Sequence, residues 1–128
     1  MKKTASQLCL ENCCLAIGDI DDFKRINDTY GHLCGDAILK QLAEHMRTRL
    51  DPAIFICRWG GEEFVFLFHD IREQDALQQL QDFCHWMNHT EFQYGEQNIP
   101  VTMTFGICCH QRLSLDELIN KADQLLYQ

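Results

Sequence analysis

Apolar runs of strand length alternate along this chain with amphipathic segments of helix length, a pattern that predicts a mixed α and β domain. The mostly apolar run Cys13–Ile20 predicts a first strand that is buried on both faces. Asp22–Tyr30 predicts a short helix, and the glycine-bounded segment Gly31–Gly35 is expected to break it. Asp36–Leu50 carries apolar residues at helical spacing and predicts a longer helix, which Asp51-Pro52 ends.

The middle of the chain predicts a hairpin followed by a helix. Ala53–Cys57 and Phe64–Phe68 are rich in β-forming residues, and two glycines lie between them, which is a hairpin signal. Arg72–Asn88 then carries a stripe of apolar residues at helical spacing. Met, Phe and Trp on such a stripe indicate core packing.

The last third of the chain predicts two strands and a closing helix. Phe92–Tyr94 is expected to form a short strand, and Ile99–Cys109 a longer one. Ser114 is expected to cap a helix that runs through Tyr127, because Glu117 follows three residues later and completes a capping box. The resulting order, βααββαβα, predicts an α+β sandwich in which helices and an antiparallel hairpin share one sheet.

Length, composition and charge restrict the classes of function. A chain of 128 residues with 46% hydrophobic residues is expected to form one domain with an ample core. The formal net charge of −8 argues against a nucleic-acid surface, which needs clustered Lys and Arg. The first residues after Met1 carry the positive charge of a signal peptide, but Glu11 and Asn12 interrupt the apolar region that should follow. No run reaches the ~20 apolar residues of a membrane span. We therefore predict a soluble, cytoplasmic domain.

The eight cysteines raise the alternatives of disulfides or a zinc site. None of them forms a Cys-x-x-Cys pair, and the six histidines do not pair with the cysteines at zinc spacing. Several cysteines lie inside apolar runs, where a free cysteine behaves as a small hydrophobic residue. We therefore predict reduced cysteines, as is usual in a cytosolic protein.

The run from Arg58 to Phe64 carries the strongest sign of chemistry. Glu62 and Glu63 follow two glycines at the predicted hairpin turn. On a regular strand adjacent side chains face opposite ways, but the looser geometry of a tight turn allows both carboxylates to lie near one site. Carboxylates at a place where glycine permits close backbone approach suggest a metal and phosphate site.

A second acidic cluster follows the first predicted strand. Asp19 and Asp21 are two residues apart and share one side if the strand continues that far. Asp19 and Glu62 together offer oxygen ligands to a hard cation, and Lys24 adds a positive charge a few residues later. Carboxylates for magnesium beside a lysine for phosphate are typical of nucleotide-handling sites.

These motifs, taken together and in order, resemble the GGDEF family of diguanylate cyclases, in its GGEEF variant. The resemblance extends from about Leu15 to Tyr127 and rests on four segments: Gly18–Lys24, Asn27–His32, Gly35-Asp36 and Gly60–Phe64. It implies the palm-like fold shared with nucleotidyl cyclases and many polymerases, in which helices flank a central, mostly antiparallel sheet.

The resemblance also implies roles for the acidic residues. Asp19 and the main-chain carbonyl of Ile20 match metal ligands of the family, for Mg²⁺ or Mn²⁺. Glu62 matches a residue that binds metal and acts as the base for the 3′-hydroxyl, and Glu63 lies near the same metals. Lys24 matches a lysine near the phosphates that stabilises the transition state.

A second group of residues matches the family's guanine site. Asn27 and Asp36 match the pair that reads the base, and His32 matches a residue on the substrate side. An amide can bind the O6 and N7 edge of guanine, and a carboxylate can accept from N1–H and N2–H. From the residues alone, Asp36 is also the expected cap of the helix that begins there, and His32 can equally be structural.

The chain departs from the family pattern in two places. The inhibitory Arg-x-x-Asp motif that ends five residues before the first glycine is replaced by Asp51 and Ile54, so we expect no inhibitory product site. The family's first helix motif and its C-terminal Lys and Arg have no match here, so we expect one GGDEF domain over residues 1–128, truncated at both ends.

The function implied by the resemblance is the condensation of two GTP molecules into cyclic di-GMP and two pyrophosphates. Catalysis would need a homodimer, because each domain holds one GTP, and a sensory domain is expected in the parent protein. The alternative is a catalytically silent GGDEF module that binds GTP or a protein partner. The presence of all the motif residues favours the enzyme.

Overall fold

The computed structural model describes residues 9–126, which form four helices and six strands. In chain order these are β1 Cys9–Ile20, α1 Phe23–Tyr30, α2 His32–Arg49, β2 Phe55–Gly60, β3 Glu63–Phe68, α3 Glu73–Asn88, β4 Glu91–Tyr94, β5 Gln97–Pro100, β6 Met103–Ser114 and α4 Leu115–Leu126.

The main sheet has four strands in the order β2-β3-β1-β6, and every neighbouring pair is antiparallel. Strands β4 and β5 form a separate two-stranded hairpin. Helices pack on both faces of the main sheet, which confirms the predicted α+β class with a central antiparallel sheet. Because β1 lies inside the sheet, its C-terminal end is held between β3 on one side and β6 on the other.

The alternation of side chains across the sheet divides the apolar residues into two clusters. Ala16 and Phe66 lie on the face that supports the large core, with helices α2 and α3. Leu15 and Val65 lie on the opposite face, and Leu118 of α4 packs against them. The prediction that β1 is buried on both faces is confirmed, because both Leu15 and Ala16 are buried.

Helix α2 begins earlier than the sequence suggested. Only Gly31, with φ 93°, separates it from α1, so the predicted break is confirmed at Gly31 but is wrong over the four residues that follow, which are helical. Asp36 therefore lies inside the helix, and the alternative in which it caps the helix is also wrong. Gly35 has helical neighbours on both sides and is buried.

The predicted strand Ile99–Cys109 is divided in two. Ile99 belongs to β5 and pairs with β4, whereas the chain from Met103 onward belongs to β6 and pairs with β1. Two different pairing partners thus divide one continuous β-forming run. The capping box before α4 is confirmed: the Glu117 N–H donates to the Ser114 hydroxyl at 3.2 Å, and the Ser114 N–H donates to Glu117 Oε1 at 3.4 Å. Tyr127, the predicted last residue of that helix, lies outside the described residues.

Cys14 and Cys109 are joined by a disulfide between β1 and β6. They are direct partners in the antiparallel register, which brings their side chains together on one face of the sheet. For this pair the prediction of reduced cysteines is wrong. Cys13, Cys34, Cys57, Cys84 and Cys108 are free thiols. Among the helices that the structure describes, none combines the length and the apolar character needed to cross a membrane.

Candidate active site

The end of β1 and the β2–β3 turn bring the predicted carboxylates together. Asp19 is the direct partner of Glu63 in the antiparallel register, so the two side chains share one face of the sheet. The Ile20 N–H donates to the carbonyl of Glu62 at 3.2 Å, which ties the strand end to the turn. The structure therefore places Asp19, Glu62 and Glu63 at one edge of the sheet.

The turn between β2 and β3 owes its shape to a glycine and to an arginine that the sequence analysis did not single out. Gly60 still pairs with Glu63, so the turn consists of Gly61 and Glu62, and Gly61 has φ 45°, a conformation that favours glycine. The register shifts by one residue at Trp59, which forms a bulge. Arg58 Nε donates a hydrogen bond to the Gly61 carbonyl at 2.8 Å and so stabilises the turn. The only signal for Arg58 in the sequence was its position two residues before the first glycine, Gly60.

The electrostatics of this edge favour a cation. Partial burial raises the pKa of the Asp19 carboxyl above its ordinary value. The nearby carboxylates of Glu62, Glu63 and Asp21 raise it further. Each of these effects opposes the negative charge on Asp19, and a bound cation would relieve the repulsion among the carboxylates.

The carboxylates do not form a closed metal cage. Within the described residues, no three His, Cys, Asp or Glu side chains converge in a metal-binding arrangement. Magnesium usually keeps several waters and is held by one or two carboxylates together with substrate phosphates. The paired carboxylates at the strand end therefore fit an ion that binds together with a nucleotide.

Asp21 has a structural partner for each of its carboxylate oxygens. The Thr102 hydroxyl donates to Oδ2 at 2.8 Å, and the Thr104 hydroxyl donates to Oδ1 at 2.7 Å. The Asp21 N–H also donates to the Thr102 carbonyl at 2.9 Å. Asp21 thus fastens the end of β1 to the chain at the start of β6 and supports the neighbouring Asp19.

Helix α1 carries two of the predicted substrate residues. Lys24 and Asn27 are three residues apart, so they lie on the same side of the helix, and Lys24 is exposed. The Asn27 carbonyl accepts a hydrogen bond from the Gly31 N–H at 2.8 Å at the end of the helix. Asn27 Oδ1 is buried without a hydrogen-bond partner, and it is the only such side-chain atom in the part of the chain that the structure describes. A buried polar atom without a partner is costly, so its presence calls for an explanation.

The first turns of α2 carry the other two predicted substrate residues, His32 and Asp36. His32 is the first residue of the helix and Asp36 the fifth, and both are exposed. Asp36 lies at one end of a groove of about 720 Å³ between α2 and the β2–β3 hairpin, and Arg58 and Phe64 lie at the hairpin side. Asp19, Asn27 and Glu62 do not line this groove. The groove also holds the cations Lys40 and Arg47, which the sequence analysis did not select.

The two positions that replace the inhibitory motif have structural roles. Asp51 Oδ1 accepts a hydrogen bond from the Ala53 N–H at 2.9 Å, and the Asp51 carbonyl accepts one from the Ile54 N–H at 3.0 Å. Ile54 is only 9% exposed and belongs to the large core. These contacts form the turn that leads from α2 into β2.

Comparison with known proteins supports the resemblance. The family model described as "Diguanylate cyclase, GGDEF domain" matches residues 3–128. The chain is 39% identical over 115 residues to the diguanylate cyclase DgcP of Pseudomonas aeruginosa, a match that covers 89% of this chain and 17% of that protein. It is 32% identical over 118 residues to the diguanylate cyclase DgcZ of Escherichia coli K12, covering 91% of this chain and 40% of that protein.

A solved structure agrees with the sequence comparison. The fold is similar to the diguanylate cyclase SiaD from Pseudomonas aeruginosa, solved in complex with its activator SiaC. The TM-score is 0.78 at 33% identity, over 91% of this chain and 45% of that chain. This chain thus spans less than half the length of these relatives. The match of the family model over nearly the whole chain shows that the chain belongs to the GGDEF domain family.

Proposed function

We propose that this domain is a diguanylate cyclase that condenses two molecules of GTP into cyclic di-GMP and two pyrophosphates. The observation that carries the proposal is the meeting of Asp19, Glu62 and Glu63 at one edge of the sheet. A bound cation would relieve the repulsion among them, and the buried, unpartnered amide oxygen of Asn27 supports a ligand-binding role for that residue. DgcP and DgcZ, to which the chain is 39% and 32% identical over 115 and 118 residues, are diguanylate cyclases by name.

The metal of the proposal is Mg²⁺ or Mn²⁺. Asp19, the main-chain carbonyl of Ile20, and the carboxylates of Glu62 and Glu63 would hold it, together with the triphosphate of the substrate. When bound, the ion would neutralise phosphate charge and lower the pKa of the attacking hydroxyl.

The reaction consists of two equivalent displacements. The 3′-hydroxyl of one GTP attacks the α-phosphorus of the other, a new P–O bond forms, and the bond to pyrophosphate breaks. Glu62 accepts the hydroxyl proton, and Lys24 stabilises the negative charge that develops on the phosphate. A second displacement in the opposite sense closes the ring and releases the second pyrophosphate.

The guanine base is read by Asn27 and Asp36, with His32 on the substrate side. Asp36 is exposed and acceptor-only when ionised, so it suits the N1–H and N2–H donors of guanine. Adenine offers a different pattern of donors and acceptors, and the same protein groups would be left unpaired.

The reaction requires two domains that face each other. Each domain would hold one GTP, so a homodimer must bring the two sites together before either displacement can occur. In the parent protein a sensory domain would control this meeting, in the cytoplasm, where GTP is available.

The test is product analysis. The protein is incubated with GTP and Mg²⁺, and the products are separated by ion-exchange chromatography and identified by mass spectrometry. We expect cyclic di-GMP with two pyrophosphates released per product, and no cyclic dinucleotide from ATP. Binding of GTP without any product would instead identify the silent module.

A further inference from the structure

We infer that Gly35 is a specificity-determining position, because its lack of a side chain fixes the orientation of the Asn27 amide that reads the base. This inference rests on the proposed function, since it concerns the same guanine site. Gly35 itself touches no substrate in this account. It acts through Asn27 and is a positioning residue.

The space beside Gly35 is filled by Asn27. A Cβ atom added at Gly35 would lie 1.9 Å from Asn27 Oδ1 and 2.9 Å from Asn27 Cγ. Real Cβ atoms do not approach other heavy atoms so closely, so any side chain at this position must displace the amide. The same Cβ would lie 3.1 Å from Cζ of the Phe23 ring, which closes another side of this space.

Backbone conformation does not explain the glycine. Gly35 lies inside α2 with helical neighbours, and its φ is outside the left-handed range that favours glycine. Inside a helix, glycine is less favourable than alanine by about 1 kcal/mol. A glycine that weakens the helix at this point is explained by the close approach of the Asn27 side chain from α1.

The contact determines which end of the amide is accessible. Oδ1 of Asn27 is buried against Gly35 and has no hydrogen-bond partner. Because Asn27 as a whole is only half-buried, we infer that the Nδ2 end of its amide is the end left to face the base. The accessible end is therefore a hydrogen-bond donor. The backbone of Asn27 is held in turn by the hydrogen bond from the Gly31 N–H, at 2.8 Å, so the side chain projects from a fixed point.

An accessible donor selects guanine over adenine. Guanine presents the O6 and N7 acceptors on this edge, whereas adenine presents its N6 amino donor in place of O6. If the amide were turned, its carbonyl oxygen would face the base and would favour the adenine amino group. The Asn27 amide could offer either its donor or its acceptor to the base. By fixing the orientation of that amide, Gly35 would make Asn27 favour guanine over adenine.

The experiment is a double-mutant cycle on Gly35→Ala and Asn27→Ala, with Gly106→Ala as the matched control. A Cβ at Gly106 would meet nothing within 4 Å, so that variant makes the same chemical change in open space. Binding is measured by calorimetry with 3′-deoxy-GTP and 3′-deoxy-ATP in the presence of Mg²⁺. These nucleotides keep the base and the triphosphate but lack the hydroxyl that would react.

We expect Gly35→Ala to reduce the preference for the guanine nucleotide about tenfold, the effect of one lost hydrogen bond to the base. Asn27→Ala should reduce it equally, and the double variant should show no further loss. Gly106→Ala should keep the preference of the unmodified protein. A folded Gly35→Ala protein that retains the full preference overturns the inference, and so does an additive loss in the double variant.

Thermal unfolding of the same four proteins reports the contact without nucleotide. In the Asn27→Ala background, Gly35→Ala should raise the melting temperature, because alanine favours the helix and no longer meets the amide. In the protein that keeps Asn27, Gly35→Ala should not raise the melting temperature. If Gly35→Ala does not fold, a folded double variant supports the contact with Asn27, and an unfolded double variant overturns it.

The two levels of the proposal fail differently. If the unmodified protein binds both nucleotides equally, the assignment of the guanine site fails. If Asn27→Ala loses the preference and Gly35→Ala does not, the guanine site stands and only the role of Gly35 is wrong.

Discussion

Asp19 and Glu63 lie directly opposite each other in the antiparallel pair of β1 and β3. Like charges at directly opposed positions destabilise a sheet, and Glu62 in the adjoining turn adds to the repulsion. The fold accepts this cost at the end of a strand that is otherwise apolar and well packed. An arrangement that weakens the free protein and is relieved by a cation is expected of a metal and nucleotide site.

The first prediction is that Asp19→Asn stabilises the protein at neutral pH. Because the folded state raises the pKa of Asp19 above the ordinary value of 3.8, the folded protein holds this proton to higher pH than the unfolded chain does. Stability is therefore lost as the pH rises from about 4 through the raised value. Removing the charge should raise the melting temperature by about 2 °C at pH 7 and change little at pH 3.5.

The control for this variant is Glu91→Gln, which removes one negative charge from an exposed position at the start of strand β4. It should leave the melting temperature nearly unchanged at both pH values. A lower melting temperature for Asp19→Asn at pH 7 would show that Asp19 stabilises the fold and that the repulsion is not the dominant effect.

The second prediction concerns metal. Mn²⁺ together with 3′-deoxy-GTP should raise the melting temperature of the unmodified protein more than the nucleotide does alone, because the ion and the phosphates complete each other's coordination. In Asp19→Asn the additional increase from Mn²⁺ should be lost. An equal metal effect in both proteins would place the ion elsewhere.

The third prediction is a loss of stability in mild acid through His45. The ring lies 4.5 Å from that of Trp86 and 5.7 Å from that of Phe92. Burial lowers the pKa of His45 below 6.5, and the charge of Arg49 lowers it further, against a smaller opposite effect of Glu44. The unfolded chain therefore takes up this proton at higher pH than the folded protein, so stability falls as the pH drops below about 6.5.

The measurement is the melting temperature at pH 7.5 and pH 5.5. His45→Gln should reduce the difference between the two pH values, whereas His69→Gln, at an exposed position, should leave it as it is in the unmodified protein. If His45→Gln loses as much stability in acid as the unmodified protein does, other groups govern the acid response.

The fourth prediction is that cyclic di-GMP does not bind near the end of α2. Asp51 accepts a hydrogen bond from the Ala53 N–H in the turn, and Ile54 is buried in the core, so neither side chain is placed to bind a phosphate or a guanine base of the product. Calorimetric titration with cyclic di-GMP should show no micromolar binding that Asp51→Ala removes. Micromolar binding that is lost in Asp51→Ala would contradict the prediction that Asp51 and Ile54 form no product site.

The buried position of Ile54 also predicts that restoring the aspartate of the inhibitory motif destabilises the fold. Ile54→Asp would place a carboxylate in the core and should lower the free energy of unfolding by about 3 kcal/mol. Ile54→Val, which keeps the site apolar, should cost about 1 kcal/mol. Chemical denaturation of the two variants measures both values, and a small loss for Ile54→Asp would contradict the buried position.

Local patterns in the sequence predicted the hairpin, the capping box and the buried first strand, because each depends on residues close together in the chain. The predicted break over Gly31–Gly35 was too long because the two glycines look alike in sequence. Gly31 takes a positive φ and separates two helices, whereas Gly35 stays helical. What distinguishes Gly35 is its contact with Asn27, which only the packing of α1 on α2 reveals.

Pairing between distant segments accounts for the other differences. Ile99 and Met103 belong to separate strands because β4 and β1 pair with different parts of one β-forming run. The Cys14–Cys109 disulfide likewise depends on the register of β1 with β6. The resemblance located the residues of the candidate site, but the support that Asp19 receives through Asp21 required the structure.

The most direct test of the central claim is the rate of cyclic di-GMP formation by Glu62→Gln, compared with the unmodified protein and with Glu96→Gln. Glu62→Gln removes the proposed base in the turn, whereas Glu96 is an exposed glutamate in the β4–β5 turn. The account predicts cyclic di-GMP from GTP and Mg²⁺ with the unmodified protein and with Glu96→Gln, and a rate at least about 100-fold lower with a fully folded Glu62→Gln. No product from the unmodified protein, or an undiminished rate with Glu62→Gln, would contradict it.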